Sequence, residues 1–227
     1  MRLLLAVALG VLAAPMNAAD DFVEPRVEIR EWQVPWSDTR PRDPDRAPDG
    51  RIWFVGQKGD YVAVFTPDSG EFKRYELDDG VGPHTVIVDY RAAWYAGNRA
   101  DHIGRIDPDT GEIDKIAVQQ AGEQDPHTLA FTDEGHIWFT CQMASRIGFL
   151  ETDQRSTKLF APSAPNARPY GLQLDPEGRP WVALFGTNRL ARVDREEGRV
   201  REGELPREEA RPRRLAITRD GLVWYVD

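Results

Sequence analysis

The sequence holds a single cysteine, Cys141, in 227 residues. No intramolecular disulfide and no Cys-rich metal site can form. A surplus of positive charge is also missing: 29 Lys and Arg stand against 38 Asp and Glu, a formal net charge of −9. Such a chain gains nothing from phosphate attraction, so nucleic acid is not an expected partner. No P-loop, dinucleotide fingerprint, zinc-ligand spacing or nucleophile elbow occurs. Long runs at helical spacing are absent too. The apolar stretch Leu3 to Ala14 is shorter than the roughly 20 residues that span a bilayer.

That stretch follows Arg2 and precedes Ala18 and Ala19, the three-part pattern of a signal peptide over residues 1–19. An N-terminal membrane anchor is the alternative. Cleavage after Ala18 or Ala19 leaves a domain over 20–227, periplasmic or secreted, with no stable membrane insertion.

What is abundant is repetition. A pair led by Trp recurs as Trp53-Phe54, Trp94-Tyr95, Trp138-Phe139, Trp181-Val182 and Trp224-Tyr225, at steps of 41, 44, 43 and 43 residues. Each Trp follows a proline (Pro41, Pro83, Pro126, Pro169, Pro212) by 11 or 12 residues. Between them lie the turns Asp49-Gly50, Glu134-Gly135, Glu177-Gly178 and Asp220-Gly221, with Tyr90-Arg91 in the second unit. Acid-Gly between apolar runs marks a hairpin. The third unit reads as strands over 128–131, 136–141, 146–150 and about 156–161.

Four short strands per 40–45 residues is the signature of a β-propeller blade. The expected fold is all-β, with blades near 41–80, 81–123, 124–166 and 167–209 and a partial one over 210–227. A solenoid is the lesser alternative. Residues 27–34 resemble an outer strand without a blade, a closing strand for the last one. Open sheet edges invite aggregation, so the sequence reads as truncated at Asp227, with further units to follow.

In a propeller the innermost strands line a central channel. The residues after the repeated prolines, Arg42, His84, His127, Tyr170 and Arg213, are therefore the candidate site, for an anionic or carbonyl-bearing small molecule and for proton transfer. The plainer alternative is that they satisfy loop backbone groups. Three residues after each Trp stand Gly56, Gly97, Cys141, Leu184 and Asp227. Of these, Asp227 is a candidate metal ligand or base. Cys141 reads as packed rather than nucleophilic. The arginine-rich segment 204–214 reads as a solvated loop more than an anion clamp.

The Pro-His-Thr units before Trp-Phe or Trp-Tyr, with Ile103-Gly104-Arg105-Ile106-Asp107-Pro108, resemble the virginiamycin B lyase (streptogramin lyase) family. Ala167-Arg168-Pro169-Tyr170-Gly171 and Phe185-Gly186-Thr187-Asn188 carry the same resemblance, which extends from Val27 to Asp227. It implies a propeller that opens a cyclic depsipeptide at its ester by elimination, with a histidine base and acids holding Mg²⁺. The family pattern is acid-Pro-His, with a second acid three residues after the same blade's Trp. Asp125-Pro126-His127 matches the first half, but Cys141 replaces the second acid; Asp227 matches the second acid, but Arg213 replaces the histidine.

The lyase reading takes His127 or His84 as proton acceptor, keeps Arg42, Tyr170 and Arg213 of the ring after the prolines as substrate-binding residues, and, by the resemblance, assigns Asp125 and Asp227 toward Mg²⁺. Non-catalytic binding of a small molecule or exported partner, and lactone hydrolysis, stand beside the lyase reading, because fold alone does not fix function. The complete protein is expected to be a monomer with its ligand in the channel.

Overall fold

The structure is a computed structural model that describes residues 28–119, 122 and 124–227. The expected signal peptide lies outside the described residues. These divide into Glu28–Gln33, which carries no regular structure, and Val34–Asp227.

The larger unit is built of antiparallel sheets, each a run of consecutive strands. The first holds β1 (Pro41–Arg46), β2 (Ile52–Gly56), β3 (Tyr61–Thr66) and β4 (Glu71–Glu76). The second holds β5 (Val86–Val88), β6 (Ala93–Gly97), β7 (His102–Ile106) and β8 (Ile113–Ala117). The third holds β9 (Pro126–Phe131), β10 (Ile137–Cys141), β11 (Arg146–Glu151) and β12 (Ser156–Phe160). The fourth holds β13 (Pro169–Leu174), β14 (Pro180–Leu184), β15 (Arg189–Asp194) and β16 (Arg199–Glu204). β17 (Arg214–Ile217) and β18 (Val223–Val226) form a two-stranded fifth sheet. The described residues contain no helix. The chain is an all-β propeller arc.

The first strands of successive sheets are neighbours: β1 meets β5, β5 meets β9, β9 meets β13 and β13 meets β17. That arrangement sets the blades around an axis lined by the strands that follow the repeated prolines.

The tryptophan pairs explain the stacking. Successive residues of a strand face opposite sides of its sheet. Trp53 packs with Val86, Ala93 and Tyr95 of the next sheet, and Trp138 packs with Leu172, Val182 and Leu184. The second member of each pair faces backward: Tyr95 joins the first core and Phe139 the second. The pairs of the second, third and fourth blades therefore tie each of those blades to both neighbours. Trp224 faces no further sheet among the described residues and is 63% exposed.

The Ile-Gly-Arg-Ile motif serves the same packing. Gly104 lies opposite Tyr95 in the ladder, and Gly148 opposite Phe139. A Cβ on either glycine would lie 2.1 Å from the facing ring. Where the backward residue is the smaller Val182, alanine (Ala191) stands opposite instead.

Residues 28–34, expected within the closing strand, form no strand. An outermost strand pairs with a third strand, and the fifth sheet contains two.

Candidate functional site

Four loops leading into the inner strands share a left-handed residue, strained in the three that are not glycine. The residue before the repeated proline has positive φ in Arg40 (52°), Gly82 (52°), Asp125 (35°) and Arg168 (50°). Side chains rarely adopt this region, and such strain gathers at functional sites. Pro41, Pro126 and Pro169 start their strands directly after this turn, whereas the strand after Pro83 begins at Val86.

All five residues singled out after the prolines, Arg42, His84, His127, Tyr170 and Arg213, line one cavity of about 770 Å³. His84 and His127 are buried, with ring centroids 3.4 Å apart, and Tyr170 stands edge-on to His127 at 4.3 Å. Arg213 donates to the Tyr170 hydroxyl at 2.8 Å and lies over its ring. Arg42 donates to Gln57 Oε1 at 3.0 Å. Beneath this floor lies a second space of about 260 Å³, lined in part by Asp43, Thr85, Thr128, Gly171 and Arg214.

Asp43 is the hub of the floor. His84 Nδ1 lies 3.1 Å from its Oδ2, Arg42 Nε is 3.2 Å from the same oxygen, and Arg214 Nη2 is 3.0 Å from Oδ1. Burial tends to raise the Asp43 carboxyl, but the His84 hydrogen bond and the Arg42 and Arg214 charges outweigh it and bring the pKa down to about 2. Burial lowers the pKa of His84; the hydrogen bond and charge of Asp43 oppose this, the Arg42 and Arg214 charges add to it, and the net direction is down. His127 is pushed down to about 2 by burial, then by His84 and Arg214. Both rings are thus neutral near pH 7. A neutral His84 that donates Nδ1–H to the Asp43 carboxylate keeps its Nε2 lone pair as a proton acceptor.

The two acids considered for a metal are not brought together. The carboxylate of Asp125 lines the cavity but accepts the backbone N–H groups of Met143 at 2.8 Å and Ala144 at 2.9 Å. Asp227 pairs with Arg207. Cys141 is fully buried, and burial raises its thiol well above the ordinary range, so it is packing.

The sequence model of the virginiamycin B lyase family matches residues 27–227. The chain belongs to the virginiamycin B lyase family. A streptogramin B lyase structure is similar at TM-score 0.78 and 26% identity, over 86% of this chain and 65% of that one. A catalytically inactive histidine-to-alanine variant of virginiamycin B lyase from Staphylococcus aureus, solved with quinupristin, is similar at TM-score 0.80 and 21% identity, over 87% of this chain and 67% of that one. A putative gluconolactonase shares the fold at TM-score 0.62 and 15% identity, over 82% of this chain and 70% of that one. No curated protein matches. The chain spans about two thirds of the length of the two lyase structures.

The family implies a divalent metal, and the residues present do not fit one. Among the described residues no three His, Cys, Asp or Glu side chains converge as ligands. The Asp125 oxygens are already committed to backbone amides.

Sequence reasoning missed Asp43 and Arg214. It followed the residue directly after each proline, and these stand one place further on. The signal was available: that next position reads Asp43, Thr85, Thr128, Gly171 and Arg214, with opposite charges in the first and last units.

Proposed function

We propose that this chain is part of an exported lyase that opens an ester-linked substrate by elimination, with the substrate at the channel mouth and His84 as the base. The observation that carries the reading is the buried, neutral His84 held by Asp43 in the floor of the 770 Å³ cavity. Export rests on the signal-peptide pattern of residues 1–19.

His84 Nε2 takes the proton from the carbon next to the one that bears the ester oxygen. A carbon–carbon double bond forms as the alkyl carbon–oxygen bond breaks, and the electron pair leaves on the carboxylate. Asp43 holds the ring in the tautomer that leaves Nε2 free and balances the imidazolium that forms. His127 and Tyr170 wall the floor, and Arg42 and Arg213 orient the substrate from the rim.

A second reading is binding without catalysis, in which Arg42, Tyr170 and Arg213 hold a small molecule in the same cavity. One experiment separates the two. Purified protein is incubated with a streptogramin B depsipeptide, with and without Mg²⁺, and followed by mass spectrometry. Elimination yields a linear product of unchanged mass, and hydrolysis adds the mass of one water. An unopened ring at high protein concentration removes the lyase reading for that substrate.

A further inference from the structure

The cavity rim is basic although the protein as a whole carries a net charge of −9. Arg40, Arg42, Arg99 and Arg213 line it, against two acids, Asp101 and Asp125. Both acids are occupied by backbone donors. Asp101 Oδ1 accepts the N–H groups of Gln124 at 2.9 Å and Asp125 at 3.1 Å, and Asp125 accepts those of Met143 and Ala144. Arg42 and Arg213 are also engaged, with Asp43 and Gln57 and with Tyr170.

Arg40 and Arg99 differ. Among the described residues neither guanidinium has a hydrogen-bond or ion-pair partner, and both are exposed at the rim. Each is nonetheless held at its base. The Arg40 backbone sits at φ 52° and its carbonyl accepts the Gln57 N–H at 3.2 Å. The Arg99 stem crosses Gly82, where an added Cβ would lie 2.7 Å from its Cδ. The Arg99 backbone N–H is bonded to the Val81 carbonyl at 3.0 Å.

We infer that the channel mouth selects a ligand carrying an oxyanion, a carboxylate or phosphate held at the rim by the unpaired guanidiniums of Arg40 and Arg99. Guanidinium presents paired N–H donors that match the two oxygens of such a group. A basic mouth on an acidic protein also concentrates anions at the channel and turns them away elsewhere. The inference deepens the lyase reading, because the same cavity would hold the rest of the substrate against His84.

The test titrates the purified protein with inorganic phosphate and, in a second arm, with citrate, at low and high NaCl. Binding is followed through the arginine Nε–H signals in ¹⁵N NMR spectra. Arg40 and Arg99 signals are expected to move. The double variant Arg40→Gln/Arg99→Gln should bind about tenfold or more weakly, with a shallower salt dependence. The tighter arm identifies the oxyanion. Unmoved arginine signals, or equal affinity in the double variant, would overturn the inference. Because the readout is binding of the probe ion, it stands apart from depsipeptide opening, and either result can fail alone.

Discussion

Asp43 of the first sheet and Arg214 of the fifth, 171 residues apart in sequence, meet at 3.0 Å across the floor of the channel. The contact closes a polar layer in which one carboxylate holds two guanidiniums and an imidazole. Such a layer fixes side-chain geometry where no single blade could.

Replacing Asp43 with Asn leaves Arg42 and Arg214 without their counter-ion and frees the His84 tautomer. Asp43→Asn should cost about 1–3 kcal/mol of stability. Any proton-transfer activity should drop by about a hundredfold. Denaturant midpoints and depsipeptide turnover measure the two effects; wild-type values in both would show that Asp43 is not the hub.

Stability should depend on pH through the buried histidines. Burial lowers His84 and His127 from the ordinary 6.5, His127 to about 2. Above pH 6.5 neither the folded nor the unfolded chain binds these protons, and their full contribution is present. As pH falls below 6.5 the unfolded chain takes them up and the folded chain resists, so stability drops, by up to about 1.4 kcal/mol per pH unit for His127. Urea midpoints should fall between about pH 7 and pH 5, and His127→Gln should flatten that slope by about one proton. A midpoint independent of pH would refute the burial of these rings.

The blades can be read against one another. Trp181 Nε1 donates to Asp175 Oδ2 at 3.0 Å, and Asp175 also binds Arg179. At the matching places of the first blade, Arg51 replaces Arg179 but Ala47 replaces Asp175, and buried Trp53 Nε1 has no partner among the described residues. Asp175→Ala should cost about 1–3 kcal/mol, and Ala47→Asp should recover roughly 0.5–1.5 kcal/mol by supplying the missing acceptor. Thermal melts of the two variants should shift in opposite directions.

Gly148→Ala tests the packing between blades. The new methyl would meet the Phe139 ring, which is fully buried against the second blade. The variant should lose about 1–3 kcal/mol, and Gly148→Ala combined with Phe139→Val, the pairing of the fourth blade, should recover part of it.

The architecture was legible because Trp, Pro and turn glycine recur at a fixed step, and a period of 43 with two-fold alternation admits few folds. The inward placement of Arg42, His84, His127, Tyr170 and Arg213 followed from the same register. Asp43 and Arg214 escaped notice because their partnership spans almost the whole chain and no local pattern announces it. Asp125 drew attention for the opposite reason. An acid before Pro-His looks like a ligand, whereas its oxygens secure the β10–β11 turn. Residues 28–34 resemble an outer strand, yet a strand also needs an edge to pair with, which composition does not supply.

The central claim is that His84 sits neutral in the channel floor with Nδ1–H donated to Asp43. Long-range ¹H–¹⁵N NMR of histidine-labelled protein reads this directly. The expected spectrum shows a protonated Nδ1 and a bare Nε2 for His84 near pH 7, with its titration moved below the ordinary histidine range, and this pattern is lost in Asp43→Asn. A protonated Nε2 with bare Nδ1, or a ring that titrates like free histidine, would contradict it.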